Sequence, residues 1–426
     1  MSPQNDQSKK CFTAFEQASI MVAVVELSKK LWLVAGIVPG IDRHPLKKFE
    51  AEENRLLALL HHWQQQAVRA GREIKRIVVA FEAGRDGFWL ARWLRIRGIE
   101  AYVIHPTSVA VSREHRRAKT DRLDTEHLKR VVLGWLRGEP DHCRMVAIPT
   151  VEEEDAKRPN RERETLVGEC TRIVNRVKAC LARFGIRGFN PTLRKAADRL
   201  ETLVTPEGVR LPPLTLAEML RDIARLRFLR EQIKSIEKAR VQRLRDGPAT
   251  RTNVMVNLIA RVFGIGIETA DLLVHEILSR NLRDRRAVAR YAGLTASPDE
   301  SGNRRREKGL ARAGNARVRR AMVQLAWRFL GFHPDSALTQ WYNKRAADGR
   351  GSTRKTMIVA LARKLLIVLW RMVTTGEVPP TSSCVAPRPQ TTRDQTLRIN
   401  KDFGGATGCL PITIRGGGDP ARFHGF

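Results

Sequence analysis

The sequence lacks the features that mark a membrane protein or a secreted protein. No apolar run approaches the roughly 20 residues that a bilayer-spanning helix requires. The first residues, MSPQNDQSKKCFTAF, contain no apolar core of the kind found in a signal peptide. The six cysteines are scattered, with no CxxC pair and no histidine at zinc-ligand spacing. We therefore expect a cytoplasmic protein with reduced thiols and no membrane association.

Acidic residues are few in comparison with basic ones. The chain has 77 Lys and Arg against 45 Asp and Glu, a formal net charge of +32. Charge of one sign in this amount repels itself unless a polyanion neutralises it, so the composition predicts nucleic acid as the partner. A length of 426 residues with 42% hydrophobic content is sufficient for folded domains with cores of their own.

Residues 20–145 have the alternation of an α/β domain. The run IMVAVVELSKKLWLVAGIV predicts a β-hairpin whose turn lies at residues 28–30. After it come a helix in FEAEENRLLALLHHWQQQAVRAG, which Gly71 would end, a strand in IKRIVVAFE, a helix in GFWLARWLRIRG and a strand in IEAYVIH. This order favours a sheet covered by helices.

Two further regions are predicted to be mainly helical. Residues 146–250 contain two apolar stripes at helical spacing, separated by PEGVRLPP, which predicts two long helices packed in a coiled-coil-like way, as a hairpin or between subunits. The stripes are Leu166, Ile173, Val174, Val177 and Leu181, then Met219, Ile223, Leu226, Ile233 and Ile236. Residues 251–376 form the mainly α C-terminal domain. Residues 1–19 are an N-terminal extension, and residues 377–426 are predicted to be a disordered tail.

Four acidic residues of the α/β domain have positions suited to metal-dependent chemistry. Glu26 ends the first strand, Glu82 ends IKRIVVAFE, and Asp121 and Asp124 open the helix in RRAKTDRLDTEHLKRVVL on one helical face. Acidic side chains that end strands at one sheet edge can hold Mg²⁺, and metal ions held this way assist phosphodiester cleavage. The alternative is that Asp121 caps a helix and Glu82 is a solvated loop residue.

A basic, glycine-interrupted segment is the clearest candidate for phosphate binding. In LTASPDESGNRRREKGLARAGNARVRR, residues 294–320, the glycines predict loops that could wrap a nucleic-acid backbone. The cationic residues are Arg304, Arg305, Arg306, Lys308, Arg312, Arg317, Arg319 and Arg320. Upstream, Gly264 and Gly266 could let backbone N–H groups cradle a phosphate, although a plain turn between helices is an equal alternative.

Three motifs in order, VELSKK, FEAGRDGFWLARWL and RRAKTDRLDTEHL, resemble the RuvC-type domain of the DEDD transposases of bacterial insertion sequences. VFGIGIETADLLVHEI, with a helix-hairpin-helix-like entry, and the segment around Ser301 resemble the family's second conserved domain, so the resemblance spans about residues 21–376. It implies an RNase H/RuvC-like fold and a metal set of Glu26, Glu82, Asp121 and Asp124. Glu26 stands where the family commonly has aspartate.

The same resemblance implies that Ser301, in the SG pair, is the nucleophile of a DNA recombinase. It also implies a guide RNA made by the element, often called a bridge RNA, and a dimer or tetramer on DNA. A serine needs an activator, and since no histidine is near Ser301 in sequence, the distant carboxylates with Mg²⁺ would have to serve. Ser297 is the nearest rival, and Tyr291 stays possible.

Two other functions remain open from the sequence. One is a RuvC-like Mg²⁺-dependent nuclease that cuts by attack of water, with the basic segment only binding DNA. The other is an inactive, non-catalytic nucleic-acid-binding remnant, which the glutamate at position 26 favours.

Overall fold

The computed structural model describes residues 19–84, 87–109, 121–139, 142–301, 304–310 and 313–376. The chain separates into two compact units, one up to Asp155 and one from Ala156 onwards. The first unit extends past the predicted boundary at residue 145, and the rest of the predicted middle region shares the second unit with the predicted C-terminal region. The predicted tail and nearly all of the predicted N-terminal extension lie outside the described residues. No helix in the described ranges has the length and apolar character needed to cross a membrane.

A mixed sheet of six strands forms the centre of the first unit. The strands are β1, Ile20–Leu27; β2, Leu31–Ile37; β3, Leu46–Glu50; β4, Arg76–Glu82; β5, Glu100–Ile104; and β6, Met145–Val146. Their spatial order is β3-β2-β1-β4-β5-β6. Strands β1, β4 and β5 are mutually parallel, whereas β2, β3 and β6 each run antiparallel to their neighbours.

Helices cover both faces of this sheet. They are α1, Glu53–Arg69; α2, Trp89–Ile96; and α3, Asp121–Leu136. The short helix α4, Val151–Asp155, has no buried residue. Because successive strand residues point to opposite faces, Val25 packs with α1 and α2, and Val24 packs with α3. A strand that is buried on both faces has a nearly continuous apolar sequence, which explains why IMVAVVEL and RIVVAFE predict strands. The predicted hairpin, strands and helices of this region are confirmed.

The first helix begins later than the sequence suggests. Phe49 and Glu50, expected to open it, belong to the edge strand β3, and α1 starts at Glu53. Most of β3 is exposed. An edge strand without a buried face carries no apolar alternation, so the sequence pattern does not reveal it.

The three cysteines within the described residues have free thiols. Cys143, Cys170 and Cys180 form no disulfide. Burial raises the pKa of the Cys143 thiol to about 11, so this group is protonated at neutral pH and a poor nucleophile. The other cysteines lie outside the described ranges.

Two long helices pack against each other in the second unit. They are α5, Arg158–Arg183, and α7, Pro213–Asp246, with the short helix α6, Ala196–Glu201, between them in sequence. Ion pairs from Arg163 to Glu237 at 2.7 Å and from Arg176 to Asp222 at 2.5 Å show that they are antiparallel. The hairpin alternative is therefore confirmed within one chain. Its core contains six of the ten predicted stripe residues: Ile173, Val177, Leu181, Met219, Ile223 and Leu226.

The remaining helices of the second unit enclose a larger core. They are α8, Arg251–Ala260; α9, Ile267–Leu273; α10, Arg285–Tyr291; α11, Ala316–Phe332; α12, Ala337–Arg345; and α13, Gly351–Thr375. A π-helical turn, Val274–Leu278, continues α9. The apolar helix α13 contributes Leu361 and Leu366 to this core, opposite Met322 of α11. The prediction of a mainly α region is confirmed.

Two paired strands occupy residues 296–301 and 304–310, so the prediction of loops there is wrong. Strand β7, Ala296–Ser301, pairs antiparallel with β8, Arg304–Leu310. The sequences ASPDES and RRREKGL contain little apolar character, and strand prediction depends on apolar alternation. In the described part of the chain, each of these strands pairs only with the other. We call residues 296–310 the serine hairpin.

A buried ionic network connects α5 and α7 to α9. Asp271 and Arg240 are each 1% exposed, and Arg240 Nε lies 3.2 Å from Asp271 Oδ2. Asn160 Nδ2 donates to Asp271 Oδ2 at 2.7 Å, and Arg240 Nη2 donates to Asn160 Oδ1 at 2.9 Å. Burial alone would raise the pKa of Asp271, but the hydrogen bond and charge of His275, with Arg240 and Asn160, outweigh it, so the pKa lies below its ordinary value.

Replacing Asp271 with Asn should lower the free energy of unfolding by about 3–5 kcal/mol, because Arg240 would remain buried without its counter-charge. The carboxylate stabilises the fold above its unfolded pKa of about 4, and this contribution is lost as the pH falls through the lower folded value. Urea denaturation at several pH values should therefore show the difference shrinking in acid. As a control, Arg283→Gln removes the exposed pair with Asp284 and should cost about 0–1 kcal/mol. Equal losses from the two variants would contradict the role given to Asp271.

Candidate acidic edge and serine hairpin

The carboxyl ends of β1 and β4 hold two of the predicted acidic residues side by side. The strands are parallel, and their register pairs Val25 with Phe81. Glu26 and Glu82 are the next residues, so their backbones lie at one level on strands spaced about 4.8 Å apart. Glu26 is half-buried and Glu82 is exposed. Neighbouring carboxylates at a strand end are what the sequence predicts for this edge.

Both glutamates are on the side of the sheet that α3 covers. Val24 and Ala80, two residues before them, belong to the core beneath α3, and residues two apart in a strand share a face. On α3, Asp124 lies one turn before Leu128, which is buried in that core. Asp124 is half-buried. Three of the four predicted acids thus belong to one layer of the first unit.

The donor chemistry of this acidic edge suits Mg²⁺. Carboxylate oxygens are its preferred protein ligands, and Glu26 of β1 and Glu82 of β4 provide them at the same strand ends. Within the ranges that the structure describes, no group of three or more His, Cys, Asp or Glu is arranged to hold a metal ion. The side chain of Asp121, the first residue of α3, lies outside those ranges. The Mg²⁺ site therefore remains a prediction.

Ser301 and Ser297 occupy opposite ends of the serine hairpin. Ser301 is the last residue of β7, and its Cα partner is Arg304. Ser297 lies near the base, where the register shifts between Ala296 and Pro298. The two candidate nucleophiles therefore differ in distance along the hairpin from the helical core.

The register of the hairpin sets acidic positions of β7 opposite basic positions of β8. Glu300 has Arg305 as its Cα partner, and Asp299 has Arg306. Opposite charges at facing positions stabilise a two-stranded sheet by up to about 1 kcal/mol per pair.

Three other predicted phosphate-binding arginines have partners inside the protein. Arg317 Nε donates to Glu164 of α5 at 2.7 Å, and Arg320 pairs with the same carboxylate. Arg319 donates to the carbonyl oxygen of Ala313 at 3.3 Å. These contacts connect the start of α11 to its surroundings. Of the rest, the side chains of Arg304, Arg305, Arg306 and Lys308, and the whole of Arg312, lie outside the described part of the chain.

The two glycines of the GIG motif have different surroundings. Gly264 has φ +84°, and a Cβ there would lie 2.9 Å from Cδ2 of Phe332. Gly266, which precedes α9, has φ −76° and no heavy atom within 4 Å of a Cβ position. Packing and backbone conformation therefore explain Gly264, whereas Gly266 has the open approach that a phosphate needs.

Sequence reasoning missed the buried polar residues of the second unit. Asp271 and Glu276 stand within the apolar stretch ETADLLVHEI, and a carboxylate in such a stretch requires partners when it is buried. An acidic residue within an apolar helical stretch is therefore a signal in the sequence for a buried polar network. The partners, Asn160 and Arg240, are far from Asp271 in sequence, and no spacing pattern identifies them.

Two family models match the chain. One, described as the transposase IS116/IS110/IS902 family, matches residues 256–342 and thus includes Ser301. The other, a transposase model for DEDD proteins of the IS110 type, matches residues 42–186 and includes Glu82, Asp121 and Asp124. Glu26 precedes the matched residues.

Curated proteins with similar sequences have similar descriptions. "Putative transposase y4rJ" of Sinorhizobium fredii is 40% identical over 365 residues, which cover 83% of this chain and 92% of that protein. "Probable family 20 transposase" of Pseudomonas aeruginosa is 24% identical over 311 residues, which cover 71% and 85%. The similarity extends across both units of the chain.

Alanine substitutions should separate the two glycines. Gly264→Ala should lower the free energy of unfolding by about 1–3 kcal/mol, because the residue would be strained at positive φ and crowded by Phe332. Gly266→Ala should change it by about 0.5 kcal/mol or less, because that position is open and has an ordinary φ. Urea denaturation of the two variants measures both. A loss at Gly264 no larger than that at Gly266 would contradict the packing role.

Proposed function

The chain belongs to the IS116/IS110/IS902 family of transposases of insertion sequences, and we propose that it cuts and rejoins DNA with Ser301 as the nucleophile. A transposase binds DNA, and the net charge of +32 supplies the attraction to phosphates. The observation that carries the proposal is the position of Ser301 at the end of β7, opposite Arg304 and distal to the helical core. A nucleophile at the end of a hairpin strand, beside arginine positions of the paired strand, is suited to attack a DNA backbone.

The proposed chemistry exchanges one phosphodiester for another. The bond from Ser301 Oγ to phosphorus forms as the bond from phosphorus to one deoxyribose oxygen breaks. The serine proton passes to a base, and the departing oxygen acquires a proton. Attack by a hydroxyl of another strand on the serine–phosphate link then releases the serine, so strands are exchanged without an external energy source. The arginines of β8 would offset the negative charge that develops on the phosphate.

We further propose that the first unit is an RNase H/RuvC-like domain with a metal site. The proposal is supported by the strand order, in which the antiparallel β2 lies beside a parallel β1-β4-β5 group. Glu26, Glu82, Asp121 and Asp124 would hold Mg²⁺, which stabilises the charge of a phosphodiester under attack when it is bound.

The family resemblance also leads us to propose a guide RNA and a dimer or tetramer. The positive charge is compatible with a second nucleic acid in addition to DNA. Adduct formation on element-end DNA, compared with and without the adjacent non-coding RNA of the element, tests the guide. Light scattering of the DNA complex tests the oligomer.

The second candidate function is a Mg²⁺-dependent nuclease that uses water. The level register of Glu26 and Glu82 supports this function, because a metal ion held by adjacent carboxylates can activate water as well as a serine hydroxyl. The two functions leave different products: serine attack leaves protein attached to DNA, whereas water attack leaves free phosphate ends.

Replacing Ser301 with Ala should abolish the covalent protein–DNA adduct while DNA binding is retained, because only the nucleophilic oxygen is removed. Labelled element-end DNA, denatured after reaction and run on a gel, reveals the adduct as a slower band. Ser297→Ala is the matched control on the same strand and should form the adduct normally. An adduct that persists in Ser301→Ala and disappears in Ser297→Ala would transfer the role to Ser297.

Replacing Glu82 with Gln should slow strand cleavage on the order of 10²-fold, because an amide of the same size cannot supply the negative charge that holds Mg²⁺. Glu50→Gln, an exposed glutamate on β3, is the control and should leave cleavage unchanged. Rates at increasing Mg²⁺ concentration give the measurement. Normal cleavage by Glu82→Gln would remove Glu82 from the proposed metal set.

A further inference from the structure

The two ends of the serine hairpin meet at one point of the helical core, which we call the neck: Gly293, Gly314 and Asn315. Gly314 has φ +91°, and a Cβ there would lie 2.6 Å from Gly293 N and 2.7 Å from the carbonyl oxygen of Arg290. The backbone N–H of Asn315 donates to the carbonyl oxygen of Tyr291 at 2.7 Å. Backbone therefore packs directly on backbone at the neck, which leaves Gly293 and Gly314 little conformational freedom.

The side chain of Asn315 connects the neck to two other elements. Its Oδ1 accepts from the backbone N–H groups of Arg317 at 3.0 Å and Val318 at 3.3 Å, which caps α11. Its Nδ2 donates to Oε2 of Glu276 at 2.9 Å. Both ends of the amide are therefore used, and its orientation is fixed.

Glu276 is an unusual residue for the interior of a helical core. It is 3% exposed and lies on the π-helical turn, a local irregularity that is frequent at functional sites. Besides Asn315, its carboxylate has Arg161 of α5 as a partner, at 3.4 Å. The same helix contributes Asn160 to the Asp271 network and Glu164 to Arg317. Helix α5 therefore contacts Glu276, the partner of Asn315, through Arg161, and it contacts the first turn of α11 through Glu164.

We propose that Glu276 and Asn315 are positioning residues for the reaction of Ser301. Their hydrogen bond fixes the direction in which the serine hairpin leaves the core, and α5 holds Glu276 in place through Arg161. The burial of Glu276 favours this role, because a buried carboxylate is rigid only when its partners are in place. The proposal rests on Ser301 being the nucleophile, and it adds that the α5–α7 hairpin determines where that serine stands.

The test uses the full chain and reverses the polarity of one hydrogen bond. Asn315→Asp keeps an acceptor for the α11 cap but turns the donor that faces Glu276 into a second carboxylate oxygen. We expect adduct formation at saturating element-end DNA to slow by about 10- to 100-fold, as a misplaced reacting group does, with an unchanged Kd for DNA. We also expect trypsin to cleave the folded variant faster than the unchanged protein after Arg304, Arg305, Arg306 and Lys308.

The double variant Asn315→Asp with Glu276→Gln provides the rescue. The amide introduced by Glu276→Gln can donate to the new carboxylate, which restores a hydrogen bond of opposite polarity. Most of the lost rate and of the resistance to trypsin should return. Glu276→Gln alone should slow adduct formation less than Asn315→Asp does, because its amide oxygen can still accept from Asn315 while the pairing with Arg161 is lost.

Thr250→Ala separates positioning from stability. It removes the side-chain cap of α8, in which Thr250 Oγ1 accepts from Asn253 N at 3.2 Å. This variant should lower Tm without changing the rate of adduct formation or the rate at which trypsin cleaves the serine hairpin. The positioning role is overturned if Thr250→Ala slows adduct formation as much as Asn315→Asp does. It is also overturned if the double variant does not recover the rate.

A failure of the proposed function can be distinguished from a failure of the positioning role. An adduct that survives Ser301→Ala removes Ser301 as the nucleophile, and with it the positioning of that serine. Loss of the adduct in Ser301→Ala together with a normal rate in Asn315→Asp removes only the positioning role. Cleavage by trypsin does not depend on the chemistry of Ser301, so it measures the neck in both cases.

Discussion

The burial of one ion pair constrains the second unit. Arg240 and Asp271 are each 1% exposed, and charges removed from water are tolerated only where each meets a partner. Arg240 comes from α7, Asn160 from α5 and Asp271 from α9, so these elements are held in the one register in which the three groups meet. The same arrangement places Glu276 against Asn315, where the chain returns from the serine hairpin. A network that stabilises the fold thus also reaches the segment that carries the proposed nucleophile.

The first unit holds its acidic residues by a different means. Backbone hydrogen bonds between the parallel strands β1 and β4 set Glu26 level with Glu82 whatever the side chains are. Apolar cores on both faces keep these strands central in the sheet. The carboxylates are thereby carried on a rigid element, as a functional constellation requires. Each unit carries one kind of proposed functional group: carboxylates in the first, and a serine among arginines in the second.

The parts of the fold that could be predicted are those with periodic burial. Strands β1 and β4 and the stripes of α5 and α7 are apolar at the spacing of their secondary structure, and they were predicted. The strands β3, β7 and β8 were not, because polar strands have no buried face to produce a pattern. The candidate site shows a similar division. The strand-end positions of Glu26 and Glu82 could be predicted, whereas the packing of Phe332 against Gly264 and the pairing of Glu164 with Arg317 could not.

By itself the sequence determined the class of partner, the succession of an α/β region and helical regions, and the motifs that identify the transposase family. Charge and apolar periodicity are sums over neighbouring residues, so they need no knowledge of the fold. Only the tertiary structure decided that the serine segment is a hairpin, that its two ends meet at the neck, and that Asp271 and Glu276 are buried among residues of α5 and α7. Those contacts join residues up to 115 positions apart, as Arg161 and Glu276 are. Such pairs are selected by packing and by the cost of an unpartnered buried charge, and neither leaves a local pattern.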